Sequence, residues 1–208
     1  MIGISNVKQF VANLRSKWTY GLTEQECIEG IENVCAFFSI PVPVLIQNVT
    51  EHPELGTCVM NRDRDTLEDD ILCFDLRQLK SMGVSDQMGF MAVITHECAH
   101  RVFQNHWFPG PDMGQWESEL VADYFMGVKI GLEGWNVDPV IKALDTLRGS
   151  GSHPIGKLRG EYVRYGRFEA HRHMIQKKVG SLQEYLDLFL EYRTRHLDEL
   201  RKAELTIY

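Results

Sequence analysis

The chain lacks any long hydrophobic run. None of its 208 residues belongs to a segment that approaches the roughly 18 consecutive apolar residues that a membrane-spanning helix needs. Its first residues, MIGIS, offer neither a basic leader nor an extended apolar core, so no signal peptide is evident. These two absences predict a cytoplasmic protein without a transmembrane segment.

Paired cysteines and excess positive charge are lacking as well. The five cysteines form no C-x-x-C pair, and their odd number leaves one unpaired in any full pairing, which favours free thiols in a reducing compartment. The net charge of −7 argues against a broad nucleic-acid surface and gives no reason to expect binding to anionic lipid. We therefore expect no nucleic-acid partner.

No internal repeat, low-complexity run or convincing linker divides the chain. Hydrophobic residues make up 44% and charged residues 25%, which is ordinary for a globular protein. We predict one domain over residues 1–208, long enough to bury a sizeable core, with a mixed α/β part at 1–80 and a helical part at 85–205. The sequence does not indicate an oligomeric state.

One motif carries most of the functional information. Residues 96–100 read H-E-x-x-H, which places two imidazoles four residues apart, on one face of a helix, where they can share a metal ion. Neutral imidazole is a good zinc ligand. Glu97 lies about 100° round the helix from His96, a position that suits a general base for a zinc-activated water. His96, Glu97 and His100 therefore predict a zinc enzyme.

The surrounding sequence supports a buried catalytic helix. Its apolar residues cover the arc opposite the two histidines, so that one side can pack against a core while the other carries a site. Ser85 or Asp86 can cap the start of this helix. The apolar arc consists of Phe90, Met91, Ile94, Cys98 and Val102.

A catalytic zinc usually takes three protein ligands, so another element must supply the third. The best source is a second helix expected after the F-P-G-P-D breaker at 108–112, with Asp112 as a possible cap. Glu119 and Asp123 share one face of that helix, so Glu119 can bind the metal while Asp123 accepts a hydrogen bond from a ligand histidine. Glu117 is the competing ligand, although an acid near a helix start can simply favour the helix dipole.

These segments resemble the gluzincin metallopeptidases. The H-E-x-x-H motif followed by E-x-x-A-D at 119–123 is most similar to the group containing the CAAX prenyl protease and the bacterial heat-shock membrane protease. Residues 153–159 read H-P-x-x-x-x-R and resemble a downstream segment of that group, with the same spacing from His to Arg. The resemblance implies that His153 faces the substrate side of the zinc and helps to stabilise the oxyanion. It also implies that Arg159 positions the site or balances its charge.

This chain departs from that group in one respect. The named members are membrane proteins, so the resemblance carries the catalytic core but neither the membrane setting nor a prenylated substrate. A smaller likeness, E-x-x-A-x-x-F from Glu119 to Phe125, is shared with cytosolic metallopeptidases that cleave repressor proteins. The His-Pro segment favours the first group.

His153 can also be interpreted without the family. A residue before proline is pushed away from the α region, so His153 is expected in a turn or extended stretch, with Pro154 able to open the next helix. A loop histidine there can reach a neighbouring cleft and hydrogen-bond a developing oxyanion. It can equally be an exposed residue without a catalytic task. Tyr162 and Tyr165 are weaker oxyanion candidates and are more typical of packing residues with a polar tip.

The remaining patterns indicate an α+β class: a mostly helical, zincin-like domain with a small β-sheet lining the cleft. The strand candidates are Pro41–Val49 and Ile71–Leu76, and the polar segment Glu51–Asp70 between them is expected to form a rim. In gluzincins a cleft strand pairs with extended substrate; Ile71–Phe74 is the candidate for it, with a plain buried strand as the alternative. The other expected helices are Asn6–Trp18, a helix opened by the Thr23–Glu26 capping box and running to Phe38, Asp138–Leu147, Ile155–Tyr165, Phe168–Lys178 and Leu182–Glu204.

Together these observations predict a zinc metalloendopeptidase acting on a peptide or protein. Zinc held by His96, His100 and Glu119 would activate a water, Glu97 would move its proton to the leaving nitrogen, and zinc and His153 would share the oxyanion charge. Two alternatives stay open: a zinc amidase with a non-protein substrate, and a zinc-binding regulatory module without turnover. The intact Glu97 argues against the second.

Overall fold

Helices dominate the computed structural model of the protein, which describes residues 22–43, 45–48, 58–61, 71–104, 114–178 and 180–207. Within these ranges the strands β1 (Leu45–Asn48), β2 (Cys58–Asn61) and β3 (Ile71–Phe74) are only four residues long each. The helices are α1 (Glu24–Phe38), α2 (Leu76–Ser81), α3 (Gln87–Gln104), α4 (Gln115–Glu133), α5 (Asp138–Asp145), α6 (Gly156–Ile175) and α7 (Leu182–Ile207).

The expected α+β class with a β-sheet lining the cleft is therefore wrong, and the fold is mostly helical. The three short strands lie in the order β1-β3-β2, with β1 parallel and β2 antiparallel to β3. Strands this short bury little surface, so helix packing supplies the core. Among the described residues, those that line the cavity beside the H-E-x-x-H motif come from helices and loops, and none comes from a strand.

The strand proposed to receive substrate lies in the interior of this small sheet. β3 (Ile71–Phe74) is hydrogen-bonded to β1 on one side and to β2 on the other, and the side chains of Leu72 and Phe74 are fully buried. A strand with both edges paired has no free backbone groups for an added peptide. The alternative of a buried strand is thus the correct one for Ile71–Phe74.

Within the Glu51–Asp70 segment, which was expected to form a rim, residues 58–61 form β2 and pair with β3. The rest of that segment lies outside the described residues, as do the expected helix Asn6–Trp18 and the possible cap Asp112.

At the start of α1, the sequence predicted the local structure correctly. Thr23 accepts from the Glu26 N–H while the Glu26 carboxylate accepts from the Thr23 N–H, which confirms the predicted capping box.

One continuous helix, α6, replaces the two helices predicted at Ile155–Tyr165 and Phe168–Lys178. The two residues between the predicted helices, 166–167, lie inside α6, and Gly166 faces α4. A Cβ on Gly166 would overlap the carbonyl oxygen of Tyr124, and one on Gly127 would overlap that of Val163. These glycines therefore permit two helices to approach closely and do not end either of them.

Helix α4 lies at the centre of the fold. It packs against α3 and α6, and every residue from Leu120 to Gly131 is buried. A helix that is covered all round needs small or apolar residues on most faces, and any charged residue on it must find a partner. This position explains why Asp123 is fully buried and why its partners come from both neighbouring helices.

Two further expectations concern thiols and membrane spans. Cys27 and Cys35 are free and buried, and Cys98 is buried in the core. Within the described ranges, no helix combines the length and the apolarity that crossing a bilayer would require.

Candidate metal centre

The orientation of α3 is set by its apolar arc and its cap. Asp86 caps the helix, because its Oδ1 accepts from the Gly89 N–H at 2.8 Å. On the opposite side to the histidines, Phe90, Ile94 and Cys98 are completely buried. With its apolar side in the core, the helix turns residues 96 and 100 toward α4.

Three potential ligand atoms converge between α3 and α4. The Nε2 atoms of His96 and His100 lie 2.9 Å apart. The carboxylate of Glu119 lies 3.5 Å from Nε2 of His96 and 3.4 Å from Nε2 of His100. Ligand atoms around one tetrahedral zinc, with bonds of about 2.0–2.1 Å, are separated by about 3.3 Å. His96, His100 and Glu119 could therefore hold a metal ion. These three residues are called the metal-binding group below.

The composition of this group fits a metal centre as well as its spacing does. The side chains of His96, His100 and Glu119 are only 10%, 8% and 12% exposed. Two imidazoles and one carboxylate form a ligand set that zinc accepts, with one position left for a water or a substrate. In the described part of the chain, no other group of three or more His, Cys, Asp or Glu has this convergence.

Both histidines are also contacted at their second ring nitrogen. Oδ1 of Asp123 lies 2.9 Å from Nδ1 of His96, and Oγ of Ser118 lies 3.3 Å from Nδ1 of His100. The carboxylate beside His96 favours a proton on Nδ1, which leaves Nε2 of the neutral ring available to a metal, and the Ser118 hydroxyl helps to hold the orientation of the His100 ring. Asp123 was predicted from its spacing to Glu119. Ser118 was missed, because a serine beside a predicted ligand carries no signal of its own.

Arg159 joins the two buried acids of α4. Its Nε and Nη2 atoms donate to the two oxygens of Asp123 at 2.7 and 3.0 Å, and Nη2 lies 3.3 Å from Oε2 of Glu119. The bidentate pair with Asp123 is the geometry in which a guanidinium binds a carboxylate most strongly. The close packing of α6 on α4 brings Arg159 to this place, between the two acids.

The charges of the site shift several pKa values. Burial lowers the pKa of His96, but the carboxylates of Asp123 and Glu119 raise it to about 10. Burial raises the pKa of Glu119, yet His96, His100 and Arg159 lower it to about 2. For Asp123, burial again raises the pKa, while Arg159 and His96 bring it down to about 2. Both carboxylates are thus ionised at neutral pH, and their field favours a cation beside the rings.

His153 lies on the loop before α6 and reaches the same group. Its Nε2 is 3.6 Å from Oε1 of Glu119, and its side chain is 51% exposed. Backbone and side-chain hydrogen bonds with Ser150, together with a 2.8 Å contact from Nδ1 to Oγ of Ser152, hold the loop around it. Pro154 precedes the helix, which begins at Gly156 with Ile155 as its cap, so the proline does not itself open the helix.

Glu117, the competing ligand, and the weaker oxyanion candidates Tyr162 and Tyr165 lie away from the metal-binding group. Glu117 accepts from the Gly114 N–H at the start of α4 and pairs with Arg193 at 3.1 Å, so it does not join the metal-binding group. Tyr165 stacks on Tyr192 with ring centroids 3.9 Å apart, and Tyr162 is buried against Phe189. These tyrosines pack between helices and do not line the cavity beside the metal-binding group.

A cavity of about 510 Å³ opens beside the metal-binding group, within the range of pockets that bind small ligands or peptide segments. Glu97, which is partly exposed, and His153 line it together with the three potential ligands. The sequence did not single out its apolar lining. Val93 and Met126 could have been found from the helical wheel, because each lies about one turn along the same face as a predicted site residue.

The arrangement can bind a cation and present Glu97 and His153 to a molecule in the cavity. It combines a buried ligand set, contacts that orient both rings, and an open side. No model of a known family matches the chain, and it matches no curated protein and no solved structure.

Proposed function

We propose that the protein is a zinc-dependent metallopeptidase of the gluzincin type, with a peptide or protein as its substrate. One observation carries the proposal: the ligand atoms of His96, His100 and Glu119 converge at a cavity that Glu97 also lines. A structural zinc site usually closes four positions with protein ligands, whereas three ligands beside a cavity are typical of a catalytic one.

The chain's own residues have distinct roles in this proposal. A zinc ion at this site would act as a Lewis acid and lower the pKa of a water molecule that it binds. Glu97 accepts the proton of the attacking water and returns it to the leaving nitrogen. His153 donates an N–H to the developing oxyanion from the loop side. Asp123 orients His96, and Arg159 compensates the charge of Asp123 and Glu119.

The clustering of distant segments adds support. Residues 96–100, 119–123 and 153–159 carry the resemblance to gluzincins, and side chains from all three meet around Glu119. The free, buried thiols of Cys27 and Cys35 support a reducing, cytoplasmic location.

The proposal is tested by zinc analysis followed by cleavage of a mixed peptide library with and without a chelator. We expect one zinc per chain and cleavage that the chelator abolishes. Glu97→Gln should lower kcat by about 10²- to 10⁴-fold while zinc content stays unchanged, because it removes the base but no ligand. Glu161→Gln, at an exposed position of α6, is the matched control and should behave as wild type.

Different failures point to different alternatives. Wild-type turnover by Glu97→Gln would overturn the mechanism. Stoichiometric zinc without cleavage of any peptide would favour the regulatory module, and zinc-dependent hydrolysis restricted to non-peptide amides would favour the amidase.

A further inference from the structure

The cavity has two walls of different chemistry. One wall carries the metal-binding group with Glu97, Asp123 and Arg159. The other is apolar and consists of Met82, Val93, Met126, Val140, Leu144 and Leu147. Both sets of residues line the same cavity, so a peptide held beside the metal-binding group can also contact the apolar wall.

Helices α3, α4 and α5 supply four of the six residues of the apolar wall, and Met82 and Leu147 follow the ends of α2 and α5. Val93 lies four residues before Glu97 on α3, and Met126 lies three residues after Asp123 on α4, so both extend the faces that carry the site. Val140 and Leu144 form one face of α5 and are each 5% exposed. Leu147, just beyond α5, is 39% exposed at the open side. The wall is therefore held by packed helices and is preformed.

A cation is available at the opening of the cavity. Arg159 is already engaged by Asp123 and Glu119, but Arg148 lines the cavity, is exposed, and forms no ion pair with any residue that the structure describes. A guanidinium in this state can bind a carboxylate of an incoming molecule through two parallel hydrogen bonds. Arg148 is the neighbour of Leu147, so an acidic group bound there lies next to the apolar wall.

We propose, building on the peptidase function, that the substrate is a peptide with an aliphatic or methionine side chain beside the cleaved bond and a carboxylate close to it. The apolar side chain occupies the wall between α3, α4 and α5, and the carboxylate pairs with Arg148. The carboxylate belongs to an acidic side chain of the peptide.

The test uses the zinc-loaded full-length chain and fluorogenic peptides of one sequence, varied at two positions. Leucine beside the cleaved bond should give a kcat/KM at least about tenfold higher than aspartate or lysine, the scale on which apolar pockets discriminate. Glutamate nearby should exceed lysine by about threefold to fivefold, as expected for an exposed ion pair.

Two variants assign these preferences to residues. Leu147→Glu should remove most of the preference for leucine, and Arg148→Glu should reverse the preference for glutamate over lysine. Phe168→Glu and Lys142→Glu make the same chemical changes at exposed positions that do not line the cavity, so they should keep the wild-type profile.

The outcomes separate this inference from the peptidase proposal. Chelator-sensitive cleavage with no preference, or a profile unchanged by Leu147→Glu and Arg148→Glu, would overturn the inference and leave the peptidase intact. If no peptide is cut, binding of the same peptides to zinc-loaded Glu97→Gln is measured by calorimetry. If the peptide with leucine and glutamate binds more tightly than the others, and Leu147→Glu weakens that binding at least tenfold, the inference is supported even though the peptidase proposal is not. Equal binding of all the peptides would overturn it.

Discussion

Two buried polar regions share helices α4 and α6, and they differ in how their polar atoms are arranged. In the candidate metal centre, called the metal centre below, atoms of His96, His100 and Glu119 point at one another beside a cavity. In the aromatic cluster, polar atoms are spread between rings and do not line that cavity. The aromatic cluster consists of Tyr124, Tyr162, Glu169, His173 and Tyr185.

The aromatic cluster is built for packing. His173 lies against Tyr185 with ring centroids 5.0 Å apart, and Glu169 pairs with Arg172 at 2.6 Å. Burial raises the pKa of Tyr124 and Tyr162, so these tyrosines stay neutral and serve as large, weakly polar side chains. Burial of a histidine or an acid is therefore not by itself evidence of a site. Convergence of ligand atoms beside open space is the feature that separates the two regions.

The largest expected difference comes from removing one histidine from each region. His100→Ala should weaken zinc binding by more than about 100-fold, since it removes a ligand atom. His173→Ala should keep zinc affinity but lower the free energy of unfolding by about 1–3 kcal/mol, because it empties space between rings. Zinc affinity measured by competition with a chromophoric chelator, and thermal unfolding followed by circular dichroism, report the two effects. Equal loss of zinc in both variants would abolish the distinction.

A smaller effect is expected from a residue that touches the metal centre without belonging to it. Asp123→Asn should weaken zinc binding by about 10- to 100-fold, because it removes the charged acceptor beside Nδ1 of His96 and half of the pair with Arg159. Asp187→Asn, at an exposed position of α7, controls for the change in net charge. Unchanged zinc affinity in Asp123→Asn would show that this contact does not orient the ring.

The pH dependence of zinc binding tests the charges that surround His96 in the metal centre. With a pKa of about 10 in the metal-free protein, His96 must release a proton when zinc binds, so the apparent Kd should fall by about tenfold per pH unit between about pH 7 and 9. Calorimetry in buffers of different ionisation enthalpy counts the released protons. Zinc binding without proton release would contradict the arrangement of charges around His96.

The same shifts predict the stability of the metal-free protein. The raised pKa of His96 contributes stability that is complete below its usual 6.5 and is lost as the pH rises through about 10. The lowered pKa values of Glu119 and Asp123 contribute stability that is present above their usual 4.5 and 3.8 and is lost as the pH falls through about 2. Urea unfolding across this range should therefore show its maximum between about pH 4.5 and 6.5, and a flat profile would contradict these shifts.

The smallest effect is expected at Glu117, the acid that competed with Glu119 in the sequence. Glu117→Gln should change zinc affinity by less than about twofold and the free energy of unfolding by at most about 1 kcal/mol, because its pair with Arg193 is partly exposed. A zinc titration of this variant beside Glu119→Gln compares the two acids directly. A larger loss in Glu117→Gln than in Glu119→Gln would mean that the ligand assignment is reversed.

Local periodicity predicted much of the metal centre. The spacing within α3 placed His96 and His100 on one face, and the structure brings their Nε2 atoms together. The cap at Asp86 and the capping box at Thr23 were also readable, because a cap depends on residues three positions apart. Where the prediction failed, the deciding contact was distant in sequence. Two helices were predicted where α6 is continuous, because only the contact of Gly166 with α4 shows that this glycine is a packing residue.

By itself the sequence determined which residues share a helix face, because backbone geometry repeats every 3.6 residues and needs no knowledge of the rest of the chain. It also determined the ligand chemistry of those faces. The tertiary structure alone decided that α6 brings Arg159 against Asp123, that β3 is covered on both edges, and that an apolar wall stands beside the metal centre. These relations depend on the packing of helices and strands far apart in the chain, which periodicity within one element does not encode.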